Sequence, residues 1–458
     1  MNSILLKKPL FLKDILTATG ATLQNAQKST VNDEKFSKIA TDTRADLADS
    51  LFIALKGENF DAHDFLDLAK EKGAAAVLIE NAEKCPADLP AIVVNNTRAA
   101  LAQMAHFVRS NFQGKVFGIT GSNGKTTTKE MLSAILKTAY GDSKVWATQG
   151  NLNNDIGVPL TLLQLGDEQS AVVEMGMNHV GEIAQLATIA EANIALITNA
   201  GRAHLEFLKT TENVAREKGA ILQFLKKDGI AILPKESPFF ALWQKMADEK
   251  KVFSFALNDD SADFVAKTHQ NGARFSLNIQ NETIDLQVLG LHNAQNALAA
   301  SAAAFAAGVP FSAIVKALNN FKAPKGRLSI VPCGVANWQV IDDTYNANPE
   351  SMRAAINVLS TVNHKKILVL GDMGEVGENA AQMHAEIGAF AKEKGIDALF
   401  ALGNFSKLAA ETFGDNAKFF ENAQMLVAEL KKENTPAVIL VKGSRFMRME
   451  KIVEALCS

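Results

Sequence analysis

The stretch GITGSNGKTTT (Gly118–Thr128) decides how the rest of the chain is read. An apolar run, KVFGIT (115–120), leads into it, and a segment of helical character, TTTKEMLSAILKTAY (126–140), leads out. A glycine-rich turn between strand and helix bares backbone N–H groups, and the helix start adds partial positive charge, so such a turn holds anions, above all phosphate. Lys125 would meet the terminal phosphates of a nucleotide and Thr126 would offer a hydroxyl to Mg2+. The common spacing, G-x-x-x-x-G-K-[ST], puts glycine at 119, where this chain has Ile119; its glycines stand at 118, 121 and 124. The loop therefore predicts a phosphate cradle of variant spacing from Gly121, Ser122, Asn123, Gly124, Lys125, Thr126 and Thr127. A plain glycine-rich turn is the competing reading, and the joint presence of strand, glycines, Lys and Thr outweighs it. The guanine-reading pattern N-K-x-D is absent, which favours an adenine nucleotide.

Outward from the loop, apolar runs alternate with helical segments. SAVVEMGM (170–177) precedes a helix over 180–192, NIALITNAG (193–201) precedes one over 212–225, and GIAILP and KVFSFAL continue the series. This alternation predicts a mostly parallel sheet. Glu174 then falls at a strand end, where ligands gather in open parallel sheets, and His204 falls in the loop after the next strand. A solvated carboxylate and an ordinary loop histidine are the plainer readings of these two. Lys218 lies in a helical segment where lysine reads as solvent-facing, and spacing does not single it out. Over 262–289 the turn signals QNGA and QNET separate alternating runs, which predicts antiparallel pairing. Helices are expected at 293–307 and 310–320, with ALAASAAAFAAG (297–308) as a buried core helix.

Before residue 97, short β-rich runs (50–57, 74–80, 91–96) surround a helical stretch near 64–72, and 97–112 has helical periodicity. After FKAPKGRLS (321–329), a linker with Pro324 and Gly326, a third α/β series runs to the end. Three domains are therefore expected: 1–96, 97–323 and 324–458.

Charge is nearly balanced, with 47 Lys and Arg against 50 Asp and Glu. That argues against a general nucleic-acid or membrane surface. No apolar run is long enough for a membrane span. MNSILLKKPLFLKDIL, broken by Lys7, Lys8 and Lys13, reads as a strand–helix or amphipathic start, not a signal peptide. The three cysteines, Cys85, Cys333 and Cys457, lie far apart and show neither metal spacing nor a disulfide framework, so a reducing cytoplasm is expected.

GITGSNGKTTT, NLNNDIGVPLTLL (151–163), VVEMGMNHVGEI (172–183) and GLHNAQNALAA (290–300) resemble the Mur ligase family, ATP-dependent ligases that extend the peptide of the bacterial cell-wall precursor. The resemblance continues through TDTRADLADSLFIALKGENFDAHDF (41–65), DDTYNANPESM (342–352), LGDMGEVG (370–377) and VKGSR (441–445). It implies an α/β fold in which a central parallel-sheet P-loop ATPase domain lies between an N-terminal UDP-binding domain and a C-terminal Rossmann-like domain. The back-half motifs are similar to those of the member that joins D-alanyl-D-alanine to UDP-N-acetylmuramoyl-tripeptide. The resemblance implies Lys125, Glu174, His204 and Lys218 as catalytic residues. Thr126, Glu174, His204 and Lys218 would form the metal site, with two Mg2+ ions and a carbamylated Lys218. Asn293 and Asn296 would contact adenine, with His292 beside them, and Arg327 and Asp343 would close over ATP. Tyr345, Asn346 and Asn348 would position the dipeptide, and Thr41, Asp42, Thr43 and Arg44 would hold the UDP-sugar. It further implies the bacterial cytoplasm and small-molecule substrates as partners, with neither nucleic acid nor membrane; no dimer signal is evident, so a monomer is the default expectation. The family usually has glycine where Asp49 and Ala62 stand, and the linker carries Lys325 between Pro324 and Gly326. The rival readings are another ligase of the superfamily, such as a folylpolyglutamate synthetase, and a non-catalytic nucleotide switch.

Overall fold

The N-terminal run enters a strand, β1 (Ser3–Phe11), and turns directly into a helix over Leu12–Thr19 that buries Leu12 and Ile15. The computed structural model describes residues 3–25, 33–333 and 338–457. β1 joins β2 (Thr22–Gln24), β3 (Lys35–Ala40), β4 (Leu51–Ile53), β5 (Ala76–Ile79) and β6 (Ala91–Val93) in a sheet of order β1-β3-β4-β5-β6-β2. The four inner strands are parallel, and the two edge strands run antiparallel to their neighbours. Asp49, which stands where the family usually has glycine, takes a left-handed backbone, φ +58°. Aspartate is one of the few side chains that enters this region at low cost. Ala62 opens a 3-10 turn, is 1% exposed and needs no such freedom.

The loop strand is β7 (Lys115–Thr120), buried after its first residue. With β8 (Val145–Ala147), β9 (Ser170–Glu174), β10 (Ile194–Ile197), β11 (Ile230–Pro234), β12 (Lys251–Leu257), β13 (Phe264–Asn271), β14 (Arg274–Ile279) and β15 (Glu282–Leu289), it forms a nine-stranded sheet of order β15-β14-β13-β12-β11-β10-β7-β9-β8. β8 to β13 pair in parallel, and β9 and β10 are buried on both faces, as a helix-covered parallel sheet requires. The last two pairings are antiparallel. Their turns place Gly272, and then Gln280 and Asn281, at positive φ, matching the right-handed twist of the hairpins. The helix Leu291–Ala306 is buried throughout 297–304, and its alanines admit close packing against the helix Lys125–Tyr140.

β16 (Ser329–Val331), β17 (Trp338–Asp343), β18 (Lys365–Gly371), β19 (Ala398–Leu402), β20 (Ala417–Phe420) and β21 (Ala437–Lys442) form the third sheet, ordered β16-β17-β21-β18-β19-β20. Only β16 is antiparallel. The expectation of unpaired cysteines is corrected here: Cys333 and Cys457, 124 residues apart, are disulfide-bonded, leaving Cys85 as the free cysteine among the described residues. Folding brings the C-terminal helix Glu450–Cys457 beside the end of β16, a proximity no sequence spacing carries. No helix among the described residues is long and apolar enough to cross a membrane.

Candidate functional site

The glycine loop occupies the C-terminal end of β7, between β9 and β10, where strand ends converge on the sheet's open edge. Two glycines are dictated by space as well as backbone. Gly121 has φ +152°, and an added Cβ would strike Thr198 Oγ1; Gly124 has φ +82°, and an added Cβ would strike Asn296 Oδ1. The residues after β10 pin the loop from below. Ser122 N–H donates to Asn199 O at 3.0 Å, Asn123 N–H to Asn199 Oδ1 at 3.0 Å, and Thr198 Oγ1 to Asn123 O at 2.6 Å. Lys125 Nζ donates to Gly121 O at 2.6 Å. Burial pushes the Lys125 ammonium below its ordinary pKa; Glu174 opposes that shift and Arg327 adds to it.

Glu174 is not a solvated strand-end carboxylate. It is 2% exposed, and its Oε1 accepts from Thr126 Oγ1 at 3.1 Å and Asn153 Nδ2 at 2.9 Å. Its Oε2 is buried without a hydrogen-bond partner. An orphaned carboxylate oxygen is costly, and beside a hydroxyl it is the donor set a hard cation takes. Among the described residues no three His, Cys, Asp or Glu cluster as a ready-made metal cage. Mg2+ keeps waters and binds through one or two carboxylates plus substrate phosphates. The residues therefore fit Mg2+.

Lys218 corrects the solvent-facing reading. It lies in the helix Thr211–Gln223 at 0% exposure, with no partner for Nζ. Burial drives its pKa well down, and Lys125 adds to the effect. Its neighbour Glu217 is also buried and accepts from Gly181 N–H and Ile183 N–H, each at 2.9 Å, at the start of the helix Glu182–Ala190. His204, at φ +56°, precedes the turn Leu205–Leu208; burial pushes its imidazole below its ordinary pKa, against the pull of Glu375. The buried ammonium suits no cation, whereas a carbamate on the same nitrogen would.

The third unit reaches the loop directly. Arg327 Nη2 donates to Thr126 Oγ1 at 2.8 Å, and its guanidinium lies over the Tyr345 ring at 4.1 Å. Asn348 Nδ2 donates to Asn123 Oδ1 at 2.8 Å and caps the helix Pro349–Ser360. Lys442 Nζ donates to Asp343 Oδ2 at 2.6 Å and to Asn346 O at 2.9 Å, in a buried cluster. Burial raises the Asp343 carboxyl, and Lys442 opposes the rise.

Beside the loop, a cleft runs between the ends of β11 and β12 and the helix beginning at Leu291, lined in part by Gly124, Pro234, Leu257, His292 and Asn296. Asn293 lies behind it: its Nδ2 donates to Leu289 O at 2.8 Å, and its Oδ1 accepts from Asn296 Nδ2 at 3.1 Å. Burial and Lys442 push His292 down to about 4, so the imidazole facing the cleft is neutral. Thr41, Asp42, Thr43 and Arg44 follow β3 on the first sheet. Arg44 holds Asp42 through paired contacts, and Lys72 donates to Thr43 O at 2.6 Å.

Profiles of the family match in three consecutive blocks: the family's catalytic domain at 35–109, the Mur ligase middle domain at 119–304, and the Mur ligase glutamate ligase domain at 326–445. The UDP-N-acetylmuramoyl-tripeptide--D-alanyl-D-alanine ligase of Escherichia coli (strain K12) is 40% identical over 431 residues, 91% of this chain and 93% of its own length. The chain belongs to the Mur ligase family. The Bacillus subtilis (strain 168) ligase of the same name is 36% identical over 97% of this Mur ligase and 98% of its own length. The crystal structure of MurF from Acinetobacter baumannii superposes with a TM-score of 0.92 at 34% identity, covering 99% of this chain and 100% of that one. MurF from Thermotoga maritima in complex with ADP gives a TM-score of 0.77 at 27% identity, over 91% and 96%. The three-sheet architecture is that of the Mur ligases. Residue-level reading of this Mur ligase missed Asn153, Glu217 and Glu375 as site residues. Asn153 and Glu375 lie inside the quoted motifs NLNNDIGVPL and LGDMGEVG, which were their only signal.

Proposed function

We propose that this Mur ligase joins D-alanyl-D-alanine to UDP-N-acetylmuramoyl-tripeptide at the expense of ATP, forming the pentapeptide precursor of the cell wall in the cytoplasm as a monomer. What supports the reading is one observation: relatives of that single name align with the chain nearly end to end, over a site in which the loop and Thr126, itself bonded to Glu174, meet residues of the third unit. The proposed domains are 1–96 for the UDP-sugar, 97–323 for ATP and 324–458 for the dipeptide.

A carboxylate does not condense with an amine unaided, because its oxygen is a poor leaving group. The tripeptide's terminal carboxylate takes the γ-phosphoryl of ATP, giving an acyl phosphate and ADP. The dipeptide amine then attacks the acyl carbon and phosphate leaves. Lys125 and the N–H groups of residues 121–127 meet the charge on the transferring phosphoryl. Thr126, Glu174, His204 and a carbamylated Lys218 would hold Mg2+, two ions in all, and the bound ions would supply further positive charge to the phosphates. The cleft beside His292 and Asn296 receives adenine, with Asn293 fixing Asn296 from behind. Arg327 and Asp343 close over the nucleotide, and Tyr345, Asn346 and Asn348 place the amine. Thr41, Asp42, Thr43 and Arg44 hold the UDP-sugar.

The test is phosphate release from ATP with the UDP-linked tripeptide, with and without D-alanyl-D-alanine, and with single amino acids as controls. Release that needs both acceptors supports the reading. Release with a single amino acid moves the chain to another ligase of the family. Tight ATP binding without any release overturns the ligase reading.

A further inference from the structure

Glu375 approaches His204 from a different unit of the fold. It sits in the loop after β18, and its Oε2 lies 2.7 Å from His204 Nδ1. Among the described residues, His204 Nδ1 has no partner besides this contact. Both residues adopt left-handed backbones, φ +59° and +56°. Non-glycine residues hold such conformations only where the surroundings impose them, and they cluster at functional sites. The two turns are docked: a Cβ added at Gly377 would come within 3.3 Å of Glu206 Cα. Behind the loop, His384 Nε2 accepts from Met373 N–H at 2.9 Å and its Nδ1 lies 2.7 Å from Ala380 O, which ties the Glu375 turn to the helix Ala380–Glu393.

A metal-binding histidine commonly gives its second ring nitrogen to a carboxylate, which fixes the tautomer and turns the free nitrogen toward the ion. Here the partner lies on the unit that also carries Tyr345 and Asn348. We propose that Glu375 is a positioning residue that holds His204 by Nδ1 when the third unit docks, so that a complete cation site forms only in the docked arrangement. The inference rests on the proposed metal role of His204. Binding of the ion and docking of the third unit then become mutually dependent.

The experiment uses the full chain with a non-hydrolysable ATP analogue and Mn2+ as probe, counting free Mn2+ by its electron paramagnetic resonance signal. Glu375→Ala should weaken Mn2+ binding about tenfold or more, and Glu375→Gln, which keeps an acceptor oxygen, should stay within about threefold of wild type. On a His204→Ala background, Glu375→Ala should cause no further loss, because its effect runs through the ring. Glu375→Ala binding Mn2+ like wild type, or an undiminished effect on the His204→Ala background, overturns the proposal while leaving the ligase reading intact. Failure of the wild-type protein to bind nucleotide-dependent Mn2+ overturns both.

Discussion

Gly124→Ala tests whether loop shape, and not only loop charge, makes the nucleotide site. The backbone at Gly124 has φ +82°, and an L-residue in the left-handed region costs about 1–2 kcal/mol. The new methyl would also displace Asn296 Oδ1 and disturb the Asn296–Asn293 hydrogen bond of 3.1 Å, worth about 0.5–1.5 kcal/mol. Gly308 provides the control: its φ is +84°, with nothing within 4 Å of an added Cβ. Gly308→Ala should therefore lose about 1–2 kcal/mol of stability and bind ATP normally. Gly124→Ala should lose a little more stability and weaken ATP binding roughly tenfold, the equivalent of about 1.4 kcal/mol, because Asn296 lines the cleft. Urea unfolding and calorimetric ATP titration of both variants measure the two effects separately. Equal ATP affinity in the two variants would refute the reasoning, since strain alone would then account for the substitution.

Lys442→Met should cost about 3–5 kcal/mol by leaving Asp343 buried without its cation, and Lys442→Met with Asp343→Asn should recover part of this; the shift in urea midpoint reads both. Burial holds His384 and His292 below the ordinary 6.5, His292 at about 4. The unfolded chain therefore takes up protons that the folded chain refuses. Stability is full above pH 6.5 and falls as pH drops from there toward 4, and His384→Gln should flatten that decline in denaturation midpoints across the range. If Lys218 is carbamylated, activity should fall in CO2-stripped buffer and return with bicarbonate, whereas Lys218→Arg should be inactive and indifferent to both.

The phosphate loop was legible because everything that makes it is local: an apolar run, three glycines, Lys125, Thr126 and a helix. The parallel series and the hairpins followed from period and turn chemistry in the same way. Lys218 was not legible. Beside Glu217 and after Arg216 it looks like part of a charged outer face, yet both Glu217 and Lys218 are buried under the strand-end loops. β8, β16 and β20 are three or four residues long, too short for a pattern. Glu375 and the Cys333–Cys457 pair depend on how distant segments dock, which neither charge nor periodicity encodes.

Arg327 stands between two left-handed residues, Gly326 at φ +75° and Leu328 at φ +53°, in the short passage joining the second sheet to the third. Its guanidinium bonds Thr126 of the glycine loop, so one residue is both a loop contact and part of the joint. A swing of the third unit about that joint would draw Glu375 away from His204, while Arg327 would stay beside the pivot.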